Sequence, residues 1–374
     1  MRPLLERLRL CVRERGPISF AEYMEAALYD PAAGYYGRGR APGREGDFFT
    51  AGDLGSGLAL LLATQIQETL QRVPEIPRPR IVELGPGSGR LLVTLLEVLG
   101  REAPELLSGV EVAAVERSAA LAGLQRENLG ARAADTVRWA GLDELARAPA
   151  PAVVLGNELI DALPVRRLVL RQGRLLELRV ALGDDRLLEL VERDAAPELR
   201  AELDGWGFRP PEGCVFEIRP AAGPLLCDLA AAVPVGLLLL IDYGDEASTL
   251  FGPARPNGTV RAYSGHELVS PLEAPGERDI TASVDFTALA RQAEAAGFEV
   301  LGTRPLVEAA LALGAAERIA ALAGAADREA LRTRMSLLSL TAPGGIGSSF
   351  QVFVAVRGEG VEPVRALGPL RRSE

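Results

Sequence analysis

Three groups of residues in this chain could do chemistry. The first is Glu83, Gly85, Pro86, Gly87 and Gly89, within RIVELGPGSGRLLVTLL from Arg80 to Leu96. Glycines have no Cβ, so such a loop can turn sharply and let a ligand lie against bare backbone. A pyrophosphate fingerprint, G-x-G-x-x-G, would need a third glycine one residue later, where Arg90 stands. A carboxylate at Glu83 would repel a pyrophosphate and suit a cationic ligand. The second group is Glu116, at the end of the apolar run VEVAAV. There it is placed to accept hydrogen bonds from ribose hydroxyls, or else to serve the N-terminal dipole of a following helix. The third is Asn157, Glu158 and Asp161, directly after the apolar VVL. Two carboxylates and an amide at a strand's carboxyl end would face the same crevice and need a cationic or donor partner. The same residues could instead form a helix N-cap cluster, with Asn157 capping.

The elements that must position these groups follow from periodicity. Ile81 and Val82 begin a strand, and Leu91, Leu92, Leu95 and Leu96 recur at helical spacing. Further strands are expected at Gly109–Val115, Thr136–Trp139, Ala152–Leu155 and Val235–Ile241, the last ending at Asp242, Tyr243 and Gly244. Strands alternating with helices give an α/β, doubly wound sheet whose ligands bind beyond the strands' carboxyl ends. Pro3–Arg15 reads as an amphipathic helix, and Ser19 with Glu22 as a capping box opening a second. Residues 40–56 are glycine-rich, with Phe48 and Phe49 as an aromatic pair that can pack onto a ligand. Leu58–Val73 is a helix with an apolar face. Val165–Leu170 and Arg174–Val180 alternate as a hairpin around Gln172 and Gly173. Leu199–Gly213 reads as irregular, and Leu250–Asp285, with little periodicity, as a substrate lid. Helices are expected at Phe286–Ala296, around Leu306–Ala323 and at Asp327–Leu340, before a last strand, Ser349–Val356.

Composition bounds the function. A chain of 374 residues with 48% hydrophobic content can bury a sizeable core, and 25% charged residues make it soluble. A net charge of −10 argues against nonspecific nucleic-acid binding. Three scattered cysteines and a single histidine offer no disulfide framework and no zinc site. No apolar run is long enough to span a bilayer and no signal-peptide core is present, so a cytoplasmic protein without membrane insertion is expected.

The pattern E-x-G-x-G-x-G resembles the S-adenosylmethionine loop of class I methyltransferases. In order along the chain, PISFAEYM, GYYGRG, GDFFTAGDLGS, VELGPGSGRL, NELIDALPV, LIDYG, GTVRAYSGHELVSPLEAPGERDITASVDF and GSSFQVFV together resemble the MidA family. That family includes mitochondrial complex I assembly methyltransferases. The resemblance covers nearly the whole chain. It implies a Rossmann-like class I methyltransferase sheet over residues 74–374, with an N-terminal helical cap and loop over 1–73 and insertions at about 165–215 and 247–285. It also implies S-adenosyl-L-methionine as methyl donor and a protein arginine as acceptor. Glu83, Gly85, Pro86, Gly87, Gly89, Glu116 and Asn157 would bind the donor. Asp53, Tyr263 and His266 would bind the acceptor.

Guanidinium is a poor nucleophile, and two carboxylates can hold it with one nitrogen aimed at the methyl; Glu158 and Asp161 are the expected catalytic pair. Ser283 stands where the family usually has histidine, and Asp53 where it usually has glutamate. A protein substrate is the partner expected, with a homodimer allowed. Methylation of a small molecule or another side chain, and an assembly chaperone that binds the donor without turnover, are the alternatives.

Overall fold

The main sheet has seven strands, numbered in chain order: β1 Arg80–Leu84, β2 Glu111–Val115, β3 Val137–Trp139, β4 Ala152–Asn157, β5 Gly236–Asp242, β6 Glu299–Pro305 and β7 Gln351–Arg357. Their order across the sheet is β6-β7-β5-β4-β1-β2-β3, with β7 antiparallel to both its neighbours. This is the expected α/β sheet. The computed structural model describes residues 3–41, 55–74, 77–184, 187–264, 267–324 and 327–368. Asp53, His266 and the Phe48–Phe49 pair lie outside the described residues.

Strands β1, β4 and β5 are buried on both sides because helices cover both faces. On one face, helices Gly55–Leu70, Arg90–Glu102, Leu306–Ala312 and Arg328–Thr341 share a core with Ile81, Val153 and Leu239. On the other, helices Ala222–Ala232 and Phe286–Ala295 pack on Val82, Val154 and Leu238. Helix Gly55–Leu70, expected with the N-terminal cap, thus shares its core with the sheet. No helix among the described residues is long and apolar enough to cross a membrane.

Register sets the functional edge. Leu84 lies opposite both Val115 and Gly156, and Asn157 opposite Ile241. The residues leaving β1, β2, β4 and β5 therefore emerge along one edge. These are Gly85, Glu116, Glu158 and Asp242, with Asp242 the last residue of β5.

Two layers stand over this edge. Helices Leu4–Arg15 and Phe20–Tyr29 form the cap, and the Ser19–Glu22 capping box is present. Their apolar faces pack on Leu121, Val165, Val180 and Ile280. The hairpin Arg166–Arg171 and Arg174–Leu182 turns at Gln172 and Gly173, both at positive φ. It pairs with Ile18–Ser19, Leu188–Asp194 and Val215–Ile218 in a five-stranded sheet.

Three local expectations need correction. Residues 197–205 form a helix: Pro197 is tolerated in the first turn, and Leu199 and Leu203 pack with Trp206 at helical spacing. The expected lid holds a three-stranded sheet, Glu267–Val269, Arg261–Ser264 and Asp279–Thr281. Its strands are too short to show periodicity, and cross-strand pairing forms them. The helix expected around Leu306–Ala323 is two helices, divided at Gly314 with φ 96°.

Candidate functional site

A cavity of about 310 Å³ opens at the carboxyl ends of β1, β2 and β4, lined by Glu83, Gly85, Pro86, Gly87, Glu116, Asn157 and Glu158. The glycine loop has φ 57° at Gly85, 57° at Gly87 and 79° at Gly89, a path that residues with a Cβ resist. A Cβ on Gly85 would sit 2.8 Å from Leu159 Cδ1, whereas one on Gly87 would meet no described atom within 4 Å. Gly87 is thus the point where backbone lies bare to the cavity. Gly89 does not line it; a Cβ there would press on Gln125 at 3.2–3.3 Å.

Glu83 is only 2% exposed, and its Oε2 has no hydrogen-bond partner among the described residues. Burial alone pushes its carboxyl up to about 8. A buried, unanswered carboxyl at the cavity wall suits a ligand that brings a cation. Glu116 is held at both oxygens: Oε1 accepts from Ser118 N at 2.8 Å and Oε2 from Gln125 Nε2 at 3.1 Å. Burial raises its pKa as well, partly offset by these bonds. The Ser118 hydroxyl accepts from Leu121 N at 3.2 Å, capping the next helix as it donates to the Tyr36 carbonyl at 2.7 Å.

The carboxyl end of β4 departs from a helix cap. No helix follows Asn157; the chain turns, with Glu158 at φ 50°. Left-handed backbone at a non-glycine residue costs about 1 kcal/mol or more and persists where surroundings impose it. Here Glu158 N donates to the Ile241 carbonyl at 2.8 Å. Asn157 Nδ2 donates to Glu158 Oε1 at 3.3 Å, and Asn157 Oδ1 is buried without a partner among the described residues.

Glu158 also lines a second cavity, of about 390 Å³, with Tyr243, Asp245, Arg255, Arg261, Tyr263 and Ser283. Among the described residues it is the one that lines both. Tyr263, expected to contact the acceptor, lies in this second cavity, as does Ser283. Asp161 lines neither cavity, so the expected pairing of Glu158 with Asp161 across one ligand is not what the fold builds. Asp161 is 2% exposed, its Oδ1 is buried without a hydrogen-bond partner among the described residues, and the nearby Tyr243 hydroxyl favours its charged form. Asp242 lies behind it, with Oδ2 accepting from Ile160 N at 3.0 Å and Asp161 N at 3.1 Å, and Oδ1 from Tyr243 N at 2.9 Å. Burial raises both carboxyls, and Asp161 raises Asp242 further. The buried Arg219 compensates them and donates to the Ala282 carbonyl at 2.7 Å. This network braces the turn that carries Glu158.

Sequence reasoning missed three residues of the first cavity's surroundings. Tyr29 and Tyr36 of the cap line it, with rings 5.4 Å apart. Tyr29 donates to the Ala162 carbonyl at 2.9 Å and Tyr36 to Asp279 Oδ1 at 2.7 Å. The aromatic pair in GYYGRG was the available signal for Tyr36. Gln125, fully buried beneath the loop, left none, since a lone glutamine on a helix has no pattern.

Residues 61–304 match a family described as "Putative S-adenosyl-L-methionine-dependent methyltransferase". A crystal structure of a Burkholderia thailandensis protein bound to S-adenosyl-homocysteine is similar, at TM-score 0.83 and 29% identity, covering 98% of this chain and 94% of that one. Among curated proteins, the mitochondrial protein arginine methyltransferase NDUFAF7 of Danio rerio is 26% identical over 94% of this chain and 86% of its own length. That of Mus musculus is 27% identical over 78% and 70%. These relatives are named as mitochondrial, which overturns the expectation of a cytoplasmic protein; composition carries no address.

Proposed function

The chain belongs to the MidA family of S-adenosyl-L-methionine-dependent methyltransferases, and on that premise we propose that it methylates an arginine side chain of a protein. The observation that carries this is Glu158, a carboxylate lining both the donor cavity and the second cavity. The relatives named as protein arginine methyltransferases support the same acceptor.

The donor cavity fits its ligand by chemistry. Glu83 answers the ligand's positive charge, Gly87 lets it approach the backbone, and Glu116 accepts from the ribose hydroxyls. When bound, S-adenosyl-L-methionine supplies a methyl group already activated by its sulfonium. The protein's task is then alignment and control of charge. In this reading the guanidinium lies in the second cavity, with its non-attacking nitrogens donating to Glu158. The bonds hold positive charge on those nitrogens and leave one nitrogen directed at the donor. Asp245 is a second carboxylate on that cavity and takes the role first expected of Asp161. Asp242, accepting from the backbone N–H groups of Ile160 and Asp161, keeps the Glu158 turn in place. Tyr263 and Arg261 line the approach, where Arg261 suits an acidic residue flanking the acceptor.

The test compares proteomes of cells with and without this protein for a missing methylarginine. The same extract is then methylated by purified wild type and by Glu158→Gln. Restoration of the mark by wild type alone supports the reading. A mark on another side chain or on a small molecule sinks the arginine acceptor.

A further inference from the structure

We infer that Gln125 is a positioning residue that locks the glycine loop and the Glu116 carboxylate into one unit, and so sets the enzyme's grip on the ribose hydroxyls. The inference rests on Glu116 as the ribose acceptor. Gln125 is 0% exposed, on helix Ala119–Ala134 directly after Glu116. Its Nε2 donates to the Gly87 carbonyl at 2.9 Å and to Glu116 Oε2 at 3.1 Å. Its Oε1 accepts from Trp139 Nε1 at 2.9 Å. Indole N–H is a donor only, so it fixes which end of the amide is oxygen. The two amide hydrogens must then point at the loop carbonyl and the carboxylate.

No other side chain of that length supplies two donors and an acceptor in one plane. Glutamate would put a second carboxylate against Glu116, and methionine would fill the space without any of the bonds. With Ser118 N on the other oxygen, the Glu116 carboxylate has little freedom to rotate. Its orientation is therefore set before the ligand arrives, and the binding need not order it. Gly89 packs on the same side chain, so the loop's far end rests on it as well.

The experiment measures dissociation constants of S-adenosylhomocysteine and of its 2′,3′-dideoxy analogue by calorimetry. The proteins are wild type, Gln125→Met and Trp139→Phe. Wild type should prefer the natural ligand by roughly tenfold or more, the size of a charge-assisted bond. In Gln125→Met that preference should fall to within about twofold, with the natural ligand losing more affinity than the analogue. Trp139→Phe keeps an aromatic ring and all of Gln125, so it should lie between. Should Gln125→Met fail to fold, Trp139→Phe decides alone. Equal weakening of both ligands means a merely structural glutamine and overturns the inference. A wild type without preference removes Glu116 from the ribose and the inference with it, while leaving the donor's identity untouched.

Discussion

The two cavities that meet at Glu158 are built by different means. The donor side is assembled from short stretches at the ends of adjacent strands. Glu83, Gly85 and Gly87 lie within five residues, and Glu116 follows the neighbouring strand. In the proposed reading its selectivity comes from backbone conformation and from one buried carboxyl, Glu83, whose Oε2 has no partner among the described residues. The acceptor side is assembled from segments far apart in sequence: the turn after β4, the end of β5 and the small sheet around Tyr263. Buried Asp161 and Asp242 lie beneath it, and the buried Arg219 opposes their charge. A local site tolerates distant change but not a Cβ in its loop. A braced site should lose turnover before it loses ligand.

The sharpest way to break this contrast is Gly87→Val. A β-branched residue at φ 57° is strained and occupies the bare approach, so S-adenosylhomocysteine should show no binding by calorimetry at concentrations that saturate wild type. Binding like wild type would mean the ligand lies elsewhere. Next is Glu158→Gln, which removes charge and keeps size. It should cost about 2–4 kcal/mol in transfer while leaving donor affinity unchanged, by analogy with loss of one preorganised electrostatic contact. Equal loss of affinity and transfer would assign Glu158 to the donor side alone and erase the distinction.

Glu116→Ala should weaken the donor by about 1.5–3 kcal/mol, roughly 10- to 150-fold, with kcat nearly kept. The smallest effect is in pH. Glu83, pushed up to about 8 by burial, is protonated in the free protein at pH 7, and a cationic ligand favours its ionised form. Binding then releases a proton. Affinity should rise with pH by up to about tenfold per unit and level off above about 8. Glu83→Gln should abolish that slope, and a flat wild-type profile would show that Glu83 does not answer the ligand's charge.

Much of the donor side was legible in the sequence because its signals are local. The strand–glycine–helix run, the acid ending β2 and the Ser19–Glu22 capping box each depend on residues within about a turn of one another. The corrections fall where cohesion is long-range. Helix Pro197–Gly205 forms because Leu199 and Trp206 find Phe216 and Phe251. The strands of the expected lid form through cross-strand bonds. Asp161 looked like a partner for Glu158 because both acids follow the carboxyl end of the same strand. No helix follows β4, and the left-handed turn at Glu158 separates the two.

By itself, the sequence determined the alternation of strand and helix, the donor loop with its leading acid, and the acids placed at strand ends. Spacing alone carries these, because backbone periodicity and glycine freedom act over a few residues. The tertiary structure alone decided that Gln125 bridges loop and carboxylate, that cap tyrosines wall the donor cavity, and that Glu158 faces two cavities while Asp161 is buried behind it. The physical reason is desolvation. Once a polar group leaves water it must take whatever partner the packed neighbours offer, and those neighbours come from segments that only the fold brings together.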